Sequence, residues 1–174
     1  MNNLEESIKS AIVDVHDFPK PGIIYKDITP IFQNAVLSNS ILDELVAQCR
    51  NAGIEGVAGL ESRGFLFGMP LALRLGVPFI LMRKKDKLPR ERHSMSYELE
   101  YGHNVIEMHT DALVHGQRIH IHDDVLATGG TLHAAVDLCQ KAGYEVLDLG
   151  VFINLTYLNR MDFNGREIFS VIKY

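Results

Sequence analysis

The sequence predicts an α/β fold in which a mainly parallel central sheet is flanked by helices. From Gly56 onward, short apolar runs alternate with segments of helical periodicity. Single helices between strands imply right-handed crossovers and therefore parallel pairing. The chain has 174 residues, 47% of them hydrophobic, which predicts one domain with a substantial core. We expect a single domain over 1–174, with a helix and an ordered loop over 1–34 and a core over 35–174.

The individual elements are predicted in order along the chain. Apolar positions three and four apart indicate a helix over 3–15 and another over 40–51, with Ser38 or Ser40 as the N-cap of the second. Prolines and a glycine over 16–30 indicate an ordered loop with exposed apolar side chains. The core is predicted to contain strands over 56–60, 77–82, 118–122 and 145–154, helices over 64–75 and 131–142, a hairpin over 94–113 and a last strand over 167–174.

The charge balance argues against two classes of partner. Lys and Arg number 17 against 22 Asp and Glu, a net charge of −5, whereas a general nucleic-acid or membrane-surface binder needs a positive field. The uncharged stretches are too short and too polar for a membrane span, and no signal peptide is visible. Cys49 and Cys139 lie among helix-forming apolar residues, which indicates buried thiols of a reducing compartment. We therefore expect a cytoplasmic protein that binds neither nucleic acid nor membranes.

The segment from Arg118 to Thr131 carries the strongest chemical signal. A strand leads through Asp123 and Asp124 into the small-residue loop over 127–131 and then into a helix. Backbone N–H groups at a helix N-terminus bind anions, and glycines there let the backbone approach a phosphate. Carboxylates beside this loop would repel the phosphate, so they are expected to accept hydrogen bonds from sugar hydroxyls. This order of residues favours a binding site for a ligand with phosphate and ribose over a purely structural strand-end turn and helix cap.

Other interpretations of this segment fail on spacing. Neither Gly-x-x-x-x-Gly-Lys-Ser/Thr nor Gly-x-Gly-x-x-Gly occurs in the sequence, which argues against a P-loop and a dinucleotide fingerprint. His120 and His122 do not complete the His-x-His-x-Asp-His pattern of a zinc hydrolase. Strand alternation instead places both imidazoles on one face of the strand.

Three further segments accompany this motif: Asp17–Pro30, Gly59–Gly68 and Tyr97–Gly102. In this order the four segments resemble the adenine phosphoribosyltransferase family of type I phosphoribosyltransferases, from about residue 14 to 150. The resemblance implies the type I fold, with an N-terminal base-binding hood and a β-hairpin flexible loop. It also implies a purine salvage enzyme that converts adenine and phosphoribosyl pyrophosphate (PRPP) to AMP and pyrophosphate. Such enzymes use Mg²⁺, held mainly by PRPP, pyrophosphate and water, and are usually homodimers.

The resemblance assigns a role to each matching residue. Glu100 is the implied catalytic residue, which orients the base or moves a proton to or from the purine. No protein ligand is assigned to Mg²⁺, because this ion keeps several waters. Family members often have a cis peptide at the position of Glu61-Ser62. The implied binding residues are Asp123 and Asp124 for the ribose; Ala127, Thr128, Gly129, Gly130 and Thr131 for the 5′-phosphate; Ser62, Arg63, Arg83, Lys84 and Lys87 for pyrophosphate; and Ile24, Tyr25, Lys26 and Val125 for adenine.

Several alternatives stay open at this point. Taken alone, the six basic and two acidic residues over 83–92 would indicate a solvated loop, and the neighbouring motifs favour pyrophosphate for Arg83. Lys26 stands where many relatives have Arg, and Lys lacks the planar guanidinium fork. A phosphoribosyltransferase for a 6-oxopurine would differ at the hood, where the segment over 19–30 favours adenine. A non-catalytic PRPP-sensing regulator would normally offer a basic nucleic-acid face or an extra module, and neither is evident.

Overall fold

The computed structural model describes residues 2–98 and 103–174. These residues fall into two compact units, one ending at Glu44 and the other beginning at Leu45. The single-domain organisation and its division at residue 34 stay predictions. In the described part of the chain, no helix is long and apolar enough to cross a membrane.

The first unit contains a helix followed by a small antiparallel sheet. Helix α1 (Asn2–Ala11) ends before strand β1 (Val13–His16), which pairs with β2 (Ile24–Asp27). The predicted helix over 3–15 is therefore wrong in its last turn. Val13 pairs with Asp27 and Val15 with Tyr25, and β-branched residues favour this extended pairing over a helix end.

The next two helices differ from the prediction, since α2 was not predicted and α3 begins earlier than predicted. The short α2 (Thr29–Phe32) precedes α3 (Ala35–Cys49), whereas the sequence predicted a helix over 40–51. Neither serine is the N-cap, because the hydroxyls of Ser38 and Ser40 donate to the carbonyls of Ile31 and Val36. The Oδ1 atom of Asn34 accepts from Leu37 N at 3.1 Å and supplies the cap.

The second unit is built on a mixed sheet with helices between its parallel strands. Its elements are β3 (Gly56–Leu60), α4 (Gly64–Leu75), β4 (Phe79–Lys84), β5 (Arg92–Glu98), β6 (His103–His109), β7 (Arg118–Leu126), α5 (Gly130–Lys141), β8 (Glu145–Asn154), β9 (Asp162–Phe163), β10 (Arg166–Glu167) and β11 (Phe169–Lys173). Within the described residues, seven strands form one sheet in the order β11-β8-β7-β3-β4-β6-β5. Pairing from β11 to β4 is parallel, and β5 and β6 add the predicted antiparallel hairpin. The predicted α/β class and mainly parallel sheet are confirmed.

The strand order creates a switch point between β3 and β7. The chain moves from β3 through α4 to β4 on one side, and from β7 through α5 to β8 on the other. Right-handed crossovers in opposite directions place the two helices on opposite faces and leave a crevice at the carboxyl ends of the central strands. The predicted phosphate and pyrophosphate segments both begin at this crevice.

Strand β7 is longer than the sequence predicted. It continues to Leu126 and therefore includes Asp123 and Asp124, instead of ending at His122. The extension follows from pairing with β8, which runs as far as Leu126 opposite Asn154. Pairing with β3 stops earlier, at Gly59 opposite His122. At the two acids, β7 is therefore hydrogen-bonded to β8 along one edge, and its other edge faces the crevice.

Candidate active site

The loop after β7 presents a left-handed glycine and the N-terminus of α5, as a phosphate-binding loop requires. Gly129 is the residue before the helix and has φ of +88°, and no side chain caps this helix end in the described part of the chain. A side chain at Gly129 would be strained at this φ, and its Cβ would lie 2.7 Å from the Met161 sulfur. Asp123 and residues 125–132 line a cavity of about 70 Å³ here. The loop leaves its helix N-terminus available to a phosphate.

The two acids differ in their surroundings. Asp124 is 7% exposed, and its Oδ2 lies 2.6 Å from Nε of Arg63. Oδ1 of Asp123 accepts from the backbone N–H of Asp124 at 2.8 Å. Burial and the Asp124 carboxylate hold the pKa of Asp123 well above its usual range. Burial also raises the pKa of Asp124, although Arg63 opposes that rise. Hydroxyl donors from a ribose would stabilise the charged forms of both acids.

The loop after β3 brings Arg63 to Asp124. The Glu61–Ser62 peptide bond is cis, as the resemblance implies. Helix α4 then begins at Gly64, where an added Cβ would lie 2.9 Å from Oδ1 of Asp123 and 3.1 Å from the carbonyl oxygen of His122. Glycine at this position therefore allows the start of α4 to pack directly against the acidic end of β7.

The basic segment is tied to the same loop through Glu61. Arg83 and Lys84 are the last residues of β4. Arg83 donates from Nε and Nη2 to the two carboxylate oxygens of Glu61, at 3.2 and 3.1 Å. The Lys84 backbone N–H donates to Glu61 at 2.8 Å. Burial raises the pKa of Glu61, but these hydrogen bonds outweigh it and leave the pKa lowered. The sequence interpretation did not identify Glu61 as the link between these segments.

A buried carboxylate, Glu107, was also missed. It lies on β6 with 3% exposure and accepts from Asp86 N at 2.9 Å, and Nε of Arg92 lies 3.0 Å from its Oε1. Arg92 also donates to the Leu88 carbonyl at 3.3 Å. These contacts attach the turn over 84–88 to the hairpin, which gives Arg92 a structural role. The only sequence signal was an acid among apolar residues of a strand.

The hood residues stay predictions as adenine contacts. Ile24 is 45% exposed, and the Tyr25 ring packs edge-on against Phe18 with 5.2 Å between centroids. The Lys26 ammonium lies 2.7 and 2.9 Å from the carboxylate oxygens of Asp14. Because its ammonium is paired in this way, Lys26 is better suited to contact a base through its backbone than through its side chain.

Glu100, the predicted catalytic residue, lies outside the described residues. The hairpin strand leading towards it reaches the phosphate loop, since Tyr97 OH lies 3.5 Å from Oγ1 of Thr131. Two larger cavities, of about 550 and 410 Å³, are lined by none of the predicted site residues. The crevice at β3 and β7 therefore remains the candidate active site.

Comparison with known proteins identifies the family of the chain. The phosphoribosyl transferase domain family matches residues 32–162. An adenine phosphoribosyltransferase of Carboxydothermus hydrogenoformans is 46% identical over 168 residues, covering 96% of this chain and 99% of that protein. The chain belongs to the adenine phosphoribosyltransferase family. Its membership confirms the resemblance carried by the four sequence segments.

Solved structures of the family share the whole fold. The adenine phosphoribosyltransferase of Rhodothermus marinus matches with a TM-score of 0.92 and 40% identity, over 100% of both chains. The Saccharomyces cerevisiae family member, determined with D-2,5-dideoxy-2,5-imino-altritol 1,6-bisphosphate and adenine, matches with a TM-score of 0.90 and 35% identity, over 99% of this chain and 100% of that chain. The type I phosphoribosyltransferase architecture is therefore shown for this family member.

Proposed function

We propose that this protein is a purine salvage enzyme that transfers the 5-phosphoribosyl group of PRPP to adenine, forming AMP and pyrophosphate. The observation that carries this function is the 2.6 Å pairing of Arg63 with Asp124. It joins the predicted pyrophosphate loop to the predicted ribose acids, next to the phosphate nest. Full-length similarity to adenine phosphoribosyltransferases supports adenine over other purines.

Each part of the crevice binds one part of PRPP. The loop over 127–131 binds the 5′-phosphate through backbone N–H groups and the positive end of α5. Asp123 and Asp124 accept hydrogen bonds from the ribose hydroxyls. Ser62 and Arg63 bind the pyrophosphate with Arg83, Lys84 and Lys87. These groups hold the anomeric carbon next to a fixed leaving group. Ile24, Tyr25 and Lys26 of the first unit, and Val125 of the second, stay the proposed adenine contacts.

The reaction requires stabilisation of the departing pyrophosphate. As the bond from the anomeric carbon to pyrophosphate breaks, negative charge accumulates on the leaving group and positive charge on the ribose. Arg63 stands between the leaving group and Asp124, so it stabilises the first charge while the carboxylate stabilises the second. Adenine supplies the electron pair for the new bond and loses its ring proton, for which Glu100 is the proposed acceptor.

In this proposed reaction, Mg²⁺ is bound mainly by the substrate and not by the protein. Two carboxylates of the crevice, Asp124 and Glu61, are each paired with an arginine, and the described residues contain no group of three His, Cys, Asp or Glu suited to a metal. These residues fit an ion held by PRPP oxygens and water. When bound, Mg²⁺ would neutralise part of the pyrophosphate charge.

We also propose a homodimer formed through the outer face of α4. Leu66, Met69 and Leu73 lie three and four residues apart and are 47%, 43% and 68% exposed. A contiguous apolar helix face indicates a protein interface. We expect Leu73→Glu to convert a dimer to a monomer in light scattering, whereas Val114→Glu, at another exposed apolar residue, leaves the mass unchanged.

A cytoplasmic location completes the proposal. Cys49 and Cys139 are free and buried, and burial, with a contribution from Asp148, raises the pKa of Cys49 to about 12. Buried thiols without a bridge favour a reducing compartment. Cell fractionation with an antibody to the protein tests this location.

The activity test combines PRPP and Mg²⁺ with each purine or pyrimidine base in turn. We expect AMP and pyrophosphate in equal amounts from adenine, and little product from hypoxanthine, guanine or xanthine. Absence of AMP at every Mg²⁺ concentration would overturn the proposed function. PRPP binding without turnover on any base would instead favour the regulator.

A further inference from the structure

The segment that follows β8 reaches back to the phosphate loop. Leu155 N donates to the Leu126 carbonyl at 2.9 Å, so the two chains leave the sheet side by side. The Met161 sulfur lies 2.7 Å from the position of a Cβ on Gly129. Residues 155–161 therefore pack against the start and the middle of the loop that the proposed function assigns to the 5′-phosphate.

One side chain, Asn159, makes the polar contact between these two segments. Its Nδ2 donates to the Ala127 carbonyl at 2.8 Å. The same nitrogen lies 3.1 Å from Asn154 Oδ1 and 3.0 Å from the Leu155 carbonyl. Its Oδ1 accepts from Met161 N at 3.2 Å. An amide supplies both two N–H donors and an acceptor, so it can hold both segments at once.

The contact to Ala127 acts on the shape of the nest. Ala127 is the first residue of the loop, and Gly129 with φ of +88° begins the turn into α5. The hydrogen bond to the Ala127 carbonyl and the packing of Met161 at Gly129 restrict the loop at its first and its central residue. A loop already held in shape loses less conformational entropy when an anion binds.

We propose that Asn159 is a positioning residue that holds the loop over 127–131 in its phosphate-binding shape through the Ala127 carbonyl. The inference rests on the proposed function, because it assumes that this loop binds the 5′-phosphate. Asn159 itself does not touch the reacting atoms. Asn159 should therefore affect the affinity for ligands that carry a 5′-phosphate, and should not affect the affinity for pyrophosphate alone.

Asn159→Asp is the most direct test because it keeps the shape and removes the amide donor. The new carboxylate faces three oxygen acceptors and cannot donate to the Ala127 carbonyl. Loss of that one hydrogen bond should raise the KM for PRPP and the Kd for ribose 5-phosphate about tenfold. The KM for adenine, kcat and the Kd for pyrophosphate should change less than about twofold. Asn51→Asp, an exposed change outside the crevice, is the matched control.

A pH series separates positioning from a general loss of structure. Protonation of the carboxylate that Asn159→Asp introduces restores one O–H donor to the Ala127 carbonyl. The ratio of variant to wild-type KM for PRPP should therefore fall as the pH is lowered from about 8 to about 5.5. Asn159→Ala removes the donor without adding a charge, and provides the binding test if the aspartate variant does not fold.

The outcomes are separable. Ribose 5-phosphate binding within about twofold of wild type in both variants would overturn the positioning role. Equal losses for ribose 5-phosphate and pyrophosphate, with a lowered Tm, would show a structural role only and would also overturn it. Failure of the wild-type protein to make AMP would overturn the proposed function, whereas the ribose 5-phosphate titration tests the positioning role without turnover.

Discussion

Nε of Arg63 lies 2.6 Å from Oδ2 of Asp124, across the crevice between β3 and β7. This pairing opposes the rise that burial causes in the pKa of Asp124, and it joins the guanidinium proposed to bind pyrophosphate to the carboxylate proposed to bind the ribose. The two charges are therefore interdependent, so a change at Arg63 should alter both pyrophosphate binding and the ionisation of Asp124.

We predict that Arg63→Met raises the KM for PRPP at least about tenfold, since it removes a charge-assisted contact. Burial raises the pKa of Asp124, and Arg63 opposes that rise, so the variant needs a higher pH to ionise Asp124. The acidic limb of kcat/KM for PRPP should shift upward in pH. Arg118→Met is the control, since Arg118 pairs with Glu55 at the opposite end of β7. An unshifted acidic limb would contradict the coupling.

The Glu61–Arg83 pair should matter for pyrophosphate. Glu61→Gln keeps an acceptor for Lys84 N but removes the charge that orients Arg83. A hydrogen bond to a charged group contributes about 1.5–3 kcal/mol, and this pair is partly exposed, so we expect about a tenfold higher inhibition constant for pyrophosphate. Product-inhibition kinetics measure it. An unchanged constant would show that Arg83 does not depend on Glu61.

Glu107 should stabilise the turn over 84–88. Glu107→Gln leaves Arg92 without its buried charge partner and weakens the contact to Asp86 N. Because Arg92 is one-third exposed, we expect a loss of about 1–3 kcal/mol in the free energy of unfolding. Urea unfolding of the single variants and of the double variant with Arg92→Gln measures the coupling. Additive single effects would contradict a direct pair.

The buried histidines predict a pH-dependent stability. His120 and His122 are fully buried with rings 6.3 Å apart, and burial lowers their pKa values to about 4 and about 3. The unfolded chain binds these protons from about pH 6.5 downward, so stability that is present above that pH is lost as the pH falls. At about pH 5 the cost is about 2 kcal/mol per histidine.

His122→Leu removes one of these groups. The variant should therefore lose less unfolding free energy than wild type between about pH 7 and about pH 5. His133→Leu, at an exposed histidine of α5, is the comparison. Parallel stability curves for His122→Leu and wild type would show that this imidazole does not set the acid sensitivity.

Glu100 is predicted to act on the chemical step. Glu100→Gln should lower kcat more than it weakens PRPP binding, because it removes a proton acceptor without changing the phosphate contacts. Glu98→Gln, two residues earlier on the same segment, is the control. Wild-type turnover in Glu100→Gln would show that the proton role is wrong.

The local motifs were predictable because each depends on neighbouring residues. The loop over 127–131 and the acids before it are contiguous, and their order along the chain already implied a strand, a nest and a helix. The hairpin was predictable from alternation around residue 102. Helix ends were less predictable, since β1 replaced the last predicted turn of α1 through pairing with β2, a contact across a loop.

By itself the sequence determined the α/β class from periodicity, the family from four motifs in order, and the segments proposed to bind phosphate, ribose and pyrophosphate from the local order of residues. Only the tertiary structure decided which residues contact each other. Arg63 reaches Asp124, Glu61 holds Arg83, Glu107 holds Arg92, and Asn159 holds Ala127. These partners lie far apart along the chain, and strand order with crossover direction brings them within hydrogen-bond or ion-pair distance.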